Sequence, residues 1–286
     1  MHPHLFFNNR LVEADRARVS PLASGPSQGR GVFTTVAVHR GRPFAWTRHW
    51  SRLAEHAERA GLRLEGFDEE TTAAALARLI EANKVEEGRA RVMLLGRAGR
   101  GAWALREARG EAQTDLVIAT ADARPHTDDT LALTVSPYRT NTHSPLAGLK
   151  CVSYLEHVLA WEEAHARGFD EAVILNERGE VASASTANLF WVKQGTLHTP
   201  ALSTGCVAGV VRGLVLELAG ELAVPHVEGV SELSALADAD EIFLTSSSTG
   251  LRLVTAFDFH RYTIPLGSVA LRLREALRQL TLRAEG

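Results

Sequence analysis

The stretch Ser144-Pro-Leu-Ala-Gly-Leu-Lys-Cys-Val-Ser-Tyr-Leu155 sets one lysine, Lys150, in a largely apolar run that continues to Trp161. The chain has 286 residues and 31 basic side chains, of which three are lysines. Lys84 precedes Glu86-Glu87 and Lys193 sits in a polar Lys-Gln-Gly turn, both ordinary solvated settings. Arginine stays protonated in proteins, whereas burial lowers the pKa of a lysine amine and frees its lone pair for attack on a carbonyl. Lys150 is therefore a candidate Schiff-base lysine. The competing reading is a helix-edge lysine with a buried stem and a solvated ammonium.

The length leaves room for two domains or one large one with a substantial core. A formal net charge of −3 with mixed signs makes no electrostatic case for nucleic acid or an anionic membrane. There is no apolar run of about 18 residues. Met1-His-Pro-His-Leu-Phe-Phe is soon followed by polar Asn8-Asn9-Arg10, unlike a signal segment. Cys151 and Cys206 are too few for a disulfide framework. A soluble cytoplasmic protein is expected.

Hydrophobic patterning predicts a hairpin-like segment around Leu5 to Val12. A strand pair follows, Val32–His39 and Phe44–Trp46, about the turn Arg40-Gly41-Arg42-Pro43. Helices are predicted from Thr47 to Gly61 and from Asp68 to Asn83, and strands at Ala90–Leu95 and Asp115–Thr120. The polar, proline-bearing stretch Ala121–Asp129 has no periodicity and reads as a linker. It divides a first domain (1–121) from a second (130–286), with 122–129 between them. In the second half, strands are expected at Leu131–Ser136, Glu171–Leu175, Val181–Ala184, Leu189–Val192, Thr196–His198, Pro225–Val227, Glu241–Leu244 and Leu253–Ala256. Helices are expected up to Arg167, over Ala208–Glu221 and over Ser268–Arg283. Strands and helices mix without regular βαβ alternation, which argues for α+β.

Two segments have the makings of a phosphate site. Gly205-Cys-Val-Ala-Gly-Val-Val-Arg212 is a glycine-punctuated entry into a helix whose first N–H groups are free for an anion. It reads equally well as an ordinary loop-to-helix junction. Thr245-Ser-Ser-Ser-Thr-Gly250 offers hydroxyls and backbone donors after a strand, or is simply a polar loop. Nucleotide cradles are disfavoured, because neither Gly-x-x-x-x-Gly-Lys-Ser/Thr nor Gly-x-Gly-x-x-Gly occurs.

The short motifs occur in a telling order: Gly29-Arg-Gly-Val-Phe-Thr-Thr35, His49-Trp-Ser-Arg-Leu53, Gly99-Arg-Gly101, Ser144 to Lys150 with Tyr154-Leu-Glu following, and Gly168-Phe-Asp-Glu-Ala172. Then come Ala184-Ser-Thr-Ala-Asn-Leu-Phe-Trp191, Gly209-Val-Val-Arg212 and Glu241-Ile-Phe-Leu-Thr-Ser246. The set resembles the fold-type-IV pyridoxal-phosphate enzymes over nearly the whole chain. These include branched-chain and D-amino-acid transaminases and 4-amino-4-deoxychorismate lyase. The resemblance implies a two-domain α+β fold, a smaller N-terminal α/β domain and a larger C-terminal domain with a mixed-sheet, barrel-like core. Phe33-Thr34-Thr35, Gly99-Arg100-Gly101, Leu146-Ala-Gly and Ala187-Asn-Leu-Phe-Trp191 are most similar to the lyases.

Carried over residue by residue, the resemblance implies that Lys150 holds pyridoxal 5′-phosphate covalently and later acts as general base. Arg52 is expected to contact the phosphate. Val210 and Val211 would offer backbone N–H groups to it, and Ser246 and Ser247 their hydroxyls or backbone. Tyr154 matches a tyrosine that in some members bonds the cofactor's phenolic oxygen. Phe33 would line the substrate pocket, and Arg100 would grip a substrate carboxylate or else is a solvated loop arginine. Arg97 and Arg30 are further candidates for that charge. A homodimer acting on a small-molecule amino substrate is implied.

One position departs from the family pattern. Ser183, within Val181-Ala-Ser-Ala-Ser185, stands where the family usually has a glutamate for the pyridine nitrogen. A neutral serine cannot keep that nitrogen protonated, so the ring becomes a weaker electron sink. An elimination that gains an aromatic ring tolerates this better than a transamination does. The expected activity is conversion of 4-amino-4-deoxychorismate to 4-aminobenzoate and pyruvate. The alternatives are a D-amino-acid or branched-chain transaminase and a non-catalytic binder of the cofactor. Glu180 could substitute for the missing acid, although the strand pleat would send it elsewhere.

Overall fold

The computed structural model describes residues 2–97, 113–123 and 130–283. The chain divides into two compact units, one of residues up to 124 with Leu149–Ser153, the other of 125–148 with 154–283. Arg100 and most of the expected linker lie outside the described residues. Asp122, expected in that linker, is the last residue of a strand.

The first unit is built on a six-stranded sheet. In chain order its strands are β1 (His4–Phe7), β2 (Arg10–Glu13), β3 (Gly31–His39), β4 (Arg42–Pro43), β5 (Gly88–Gly96) and β6 (Thr114–Asp122). They lie in the order β2-β1-β6-β5-β3-β4, and every pairing is antiparallel. The strand expected at Phe44–Trp46 is not formed. The turn is Arg40-Gly41, both with positive φ, which suits a two-residue hairpin. The strand therefore ends at Pro43, at the sheet edge where a missing N–H costs nothing.

Ala45 then adopts a left-handed conformation and helix α2 (Trp46–Arg59) begins. It follows the short α1 (Ser24–Gln28), and α3 (Glu69–Ala82) comes after it. At the start of α3 the Asp68 carboxylate accepts the Thr71 N–H at 2.7 Å and the Thr71 hydroxyl accepts the Asp68 N–H at 3.2 Å. Such a capping box contributes about 1 kcal/mol. Leu53, Leu76, Leu79 and Ile80 of these helices share one core with Val32, Val92, Leu94, Leu116 and Ile118 of the sheet. Each such buried side chain contributes roughly 1.5–3 kcal/mol.

Leu149–Ser153 belongs to this first unit although the sequence reading assigned it to the second domain. Phe33 N–H donates to the Lys150 carbonyl at 2.9 Å, Val152 N–H to the Gly31 carbonyl at 2.9 Å, and Val32 faces Cys151 in an antiparallel bridge. The segment thus extends the sheet beside β3.

The second unit has a nine-stranded mixed sheet. Its strands are β7 (Leu131–Thr140), β8 (Glu171–Asn176), β9 (Val181–Ala184), β10 (Asn188–Lys193), β11 (Thr196–Pro200), β12 (His226–Gly229), β13 (Glu241–Ser246), β14 (Gly250–Phe257) and β15 (His260–Arg261). The order is β12-β11-β10-β13-β14-β7-β8-β9, with β15 on β14. The sheet curls so that β9 also lies beside β10 and β11. Every residue of β8 is buried, as expected of a strand covered on both faces.

Helices α4 (Leu155–Ala166), α5 (Val210–Glu221), α6 (Ser234–Ala237) and α7 (Val269–Arg283) complete the unit. The Glu241 carboxylate accepts from Val269 N–H at 3.0 Å and Ala270 N–H at 2.8 Å. This places a negative charge on the positive end of α7. The fold is α+β.

Candidate functional site

In the first unit the face of α2 turned to the sheet carries His49, Arg52, Leu53 and His56, all buried. The spacing of three and four puts them on one stripe. A buried guanidinium needs partners. Arg52 Nη2 donates to the Thr34 hydroxyl of β3 at 2.8 Å. That hydroxyl lies 2.6 Å from His49 Nδ1; accepting from Arg52, it donates its own proton to the histidine. Burial, helped by the charges of Arg52 and Lys150, pushes His49 down to about 3. It is therefore a neutral acceptor at physiological pH.

Lys150 lies beside this stripe. Its backbone N–H donates to His56 Nδ1 at 3.0 Å. Its Nζ stands 4.6 Å from the centre of the Phe33 ring, and the Arg91 guanidinium carbon is also 4.6 Å from that ring. Phe33 and Arg91 share a face of the sheet, because Arg91 pairs with Thr35, two residues along β3. Burial, with Arg52 and Arg91 nearby, pushes the Lys150 amine down to about 7. A large fraction is then the nucleophilic free base at neutral pH, which is what a carbonyl-binding lysine requires. Lys150, Arg52 and Phe33 are thus brought together. Thr34, His56 and Arg91 join them. His56 falls within the predicted helix Thr47–Gly61 and Thr34 in the Gly29–Thr35 motif, but nothing local tells what either touches.

In the second unit α5 starts at Val210, behind Gly209, and no side chain caps it. The first N–H groups of a helix have no partner within it, and here they belong to the buried Val210 and Val211. Asn188 at the start of β10 holds this junction: its Nδ2 donates to the Val207 carbonyl at 2.8 Å. Asn188 also pairs with Thr245 of β13. The α5 entry and the serine-rich β13–β14 turn are therefore assembled around one asparagine. In that turn Ser246 Oγ lies 2.8 Å from Thr249 Oγ1 and 3.2 Å from Ser248 Oγ. Ser247 is the next turn residue. The buried Thr245 Oγ1 has no hydrogen-bond partner among the described residues. A junction of free N–H groups and hydroxyls suits a phosphate.

Ser183 is buried in β9 opposite Ile174. Two and three residues on, Ser185 and Thr186 donate their hydroxyls to the Glu171 carboxylate, and burial holds that carboxyl above its usual range. Tyr154 and His157 stack at 4.4 Å at the start of α4. Both reach the Ser185 carbonyl, Tyr154 Oη at 3.4 Å and His157 Nδ1 at 2.9 Å. Glu180 is committed elsewhere, accepting from Asn176 Nδ2 and Arg178 Nη2, each at 2.6 Å. It does not replace a carboxylate at position 183. Arg97 is likewise occupied, by Asp115 at 2.7 and 2.8 Å.

Residues 31–257 match the family model described as amino-transferase class IV. The chain is 32% identical over 251 residues to the aminodeoxychorismate lyase of Bacillus subtilis, covering 85% of this chain and 83% of that one. Among solved structures it is similar to a branched-chain aminotransferase of Thermoproteus uzoniensis, determined with norvaline. The TM-score there is 0.89 at 26% identity, over 99% of this chain and 95% of that one. It is also similar to 4-amino-4-deoxychorismate lyase from Pseudomonas aeruginosa, with TM-score 0.82 at 28% identity over 96% and 98% of the two chains.

Proposed function

The chain belongs to the amino-transferase class IV family, and from that premise we propose that it is a lyase converting 4-amino-4-deoxychorismate to 4-aminobenzoate and pyruvate. It is an enzyme of a pyridoxal-phosphate family, and its residues fit that group. An amine near pH 7 suits an aldehyde, and the uncapped α5 entry with the neighbouring hydroxyls suits a phosphate. In this reading Lys150 holds the cofactor and Arg52, Val210, Val211, Ser246 and Ser247 hold its phosphate. Ser183 faces the ring nitrogen and Tyr154 the phenolic oxygen.

When bound, the cofactor supplies an electron sink. The remaining work falls to the chain. Lys150 Nζ, uncharged in large part at neutral pH, takes the proton from the amine-bearing carbon of the substrate. Thr34 and His49 hold the Arg52 guanidinium in place without adding charge. Arg91 beside Phe33 supplies the cation that favours a carboxylate-bearing substrate. Arg100, outside the described residues, is proposed for a second carboxylate, and the active form is proposed to be a homodimer.

Ser183 carries the choice of lyase. Among the described residues no carboxylate bonds it, and the adjacent candidate Glu180 is engaged by Asn176 and Arg178. A neutral hydroxyl at the ring nitrogen lowers the demand the protein can place on the sink. That suits an elimination driven by aromatisation. The decisive test mixes purified holoprotein with aminodeoxychorismate, and separately with D- and L-amino acids. Pyruvate release without an amino acceptor supports the lyase. Conversion of the cofactor to its amine form by an amino acid alone, without pyruvate from aminodeoxychorismate, establishes a transaminase instead.

A further inference from the structure

Lys150 sits on a segment that joins the first sheet at the edge of β3. One side of its peptide is fixed by the sheet, through Phe33 N–H to the Lys150 carbonyl at 2.9 Å. The Lys150 N–H is taken by a side chain of α2. A buried peptide N–H left without an acceptor is strongly disfavoured. The acceptor here is His56 Nδ1, at 3.0 Å. His56 is itself 3% exposed and lies on α2 four residues after Arg52, on the same stripe. Accepting through Nδ1 requires a neutral ring with its proton on Nε2. Burial, with Arg52, Arg59 and Lys150 adding repulsion, holds the ring in that state by pushing it down to about 4.

We propose that His56 is a positioning residue for Lys150: by accepting its peptide N–H, it clamps the lysine's backbone to the helix that carries Arg52. The direction in which the Lys150 side chain leaves the backbone is then set from two sides, by β3 and by α2. One rigid helix places both the arginine and the lysine, which links two groups distant in sequence. This inference rests on the reading of Lys150 as cofactor carrier.

The test compares His56→Asn, His56→Leu and His56→Gln in the full chain. Asparagine keeps an acceptor at the Nδ1 position, leucine removes it at similar volume, and glutamine places its polar end near the Nε2 position only. In cofactor-free protein, exchange of the Lys150 amide hydrogen is expected to rise roughly tenfold in the leucine and glutamine variants, as for loss of one hydrogen bond. It should stay near the original rate in the asparagine variant. The rate at which added pyridoxal 5′-phosphate becomes fixed to Lys150, read by borohydride reduction and peptide mapping, should fall in the same two variants and recover with asparagine. The glutamine variant keeps the comparison open should the leucine variant not fold. Unchanged exchange and fixation in a folded leucine or glutamine variant overturn the role of His56, as does an asparagine variant that behaves like leucine. Absence of the adduct from Lys150 in the unaltered protein overturns the carrier reading as well, so the two failures are told apart.

Discussion

Gly209→Ala tests how the α5 entry is held. Gly209 has φ −68 and ψ 139, a conformation alanine adopts freely, so any cost is steric. A Cβ there would lie 2.0 Å from Asn188 Oδ1 and 3.1 Å from its Cγ. The asparagine must move, and its hydrogen bond to the Val207 carbonyl goes with it. Losing that partly buried bond costs about 1–3 kcal/mol, and overpacking adds about 1–3 kcal/mol. The substitution should therefore destabilise the protein by roughly 2–5 kcal/mol and weaken phosphate binding at α5. Asn188→Ala alone should lose about 1–3 kcal/mol. Combined with Gly209→Ala it should lose little more, because the clashing atom is gone. Urea unfolding of the cofactor-free protein measures all three. The coupling between the two sites is then expected to be close to the whole Gly209→Ala effect, roughly 2–5 kcal/mol. If the single effects simply add, Asn188 does not hold the junction and the argument is wrong.

The Lys150 amine makes stability depend on pH in a stated direction. Between about 7 and its ordinary 10.5 the unfolded chain keeps a proton that the folded chain has released, so stability climbs with pH across that window by up to about 1.4 kcal/mol per unit. The penalty of burying the charged form is fully present below pH 7. Lys150→Met should abolish this slope in the cofactor-free protein, and parallel curves for the two proteins would contradict the buried amine. Ser183→Glu should raise transamination relative to elimination, as measured by amine-form cofactor against pyruvate. No change in either rate would place the residue away from the ring nitrogen. Thr34→Val removes the hydroxyl shared by Arg52 and His49, and should lower affinity for pyridoxal phosphate severalfold, roughly the effect of one hydrogen bond. Unaltered affinity by equilibrium dialysis would show that Thr34 does not hold the guanidinium.

Much of the fold is legible in the sequence. The periodicity of Trp46–Arg59 and Val269–Arg283, the alternation in β3 and β5 and the turn residues follow from local rules, and the observed elements start and end close to them. Phe44–Trp46 was misread because its aromatic residues suit a strand, while the tight Arg40-Gly41 turn ends the hairpin early and starts α2. Leu149–Ser153 packs with the first unit, which the sequence does not announce, because a short apolar segment carries no mark of the strand edge it will join. Glu180 shows a different gap: its proximity to Ser183 in sequence could not reveal that Asn176 and Arg178 occupy it.

The amino-acid sequence by itself determined that one lysine stands in apolar surroundings, that Arg52 falls within a helical stretch, and that residue 183 is neutral. These depend only on residue type and near neighbours. Tertiary structure alone decided that His56 meets the Lys150 peptide 94 residues away, that Asn188 joins the α5 entry to the β13–β14 turn, and that Arg91 shares a ring with Lys150. Each of these depends on strand register and helix docking, which are set by the summed burial of two cores and by no local pattern.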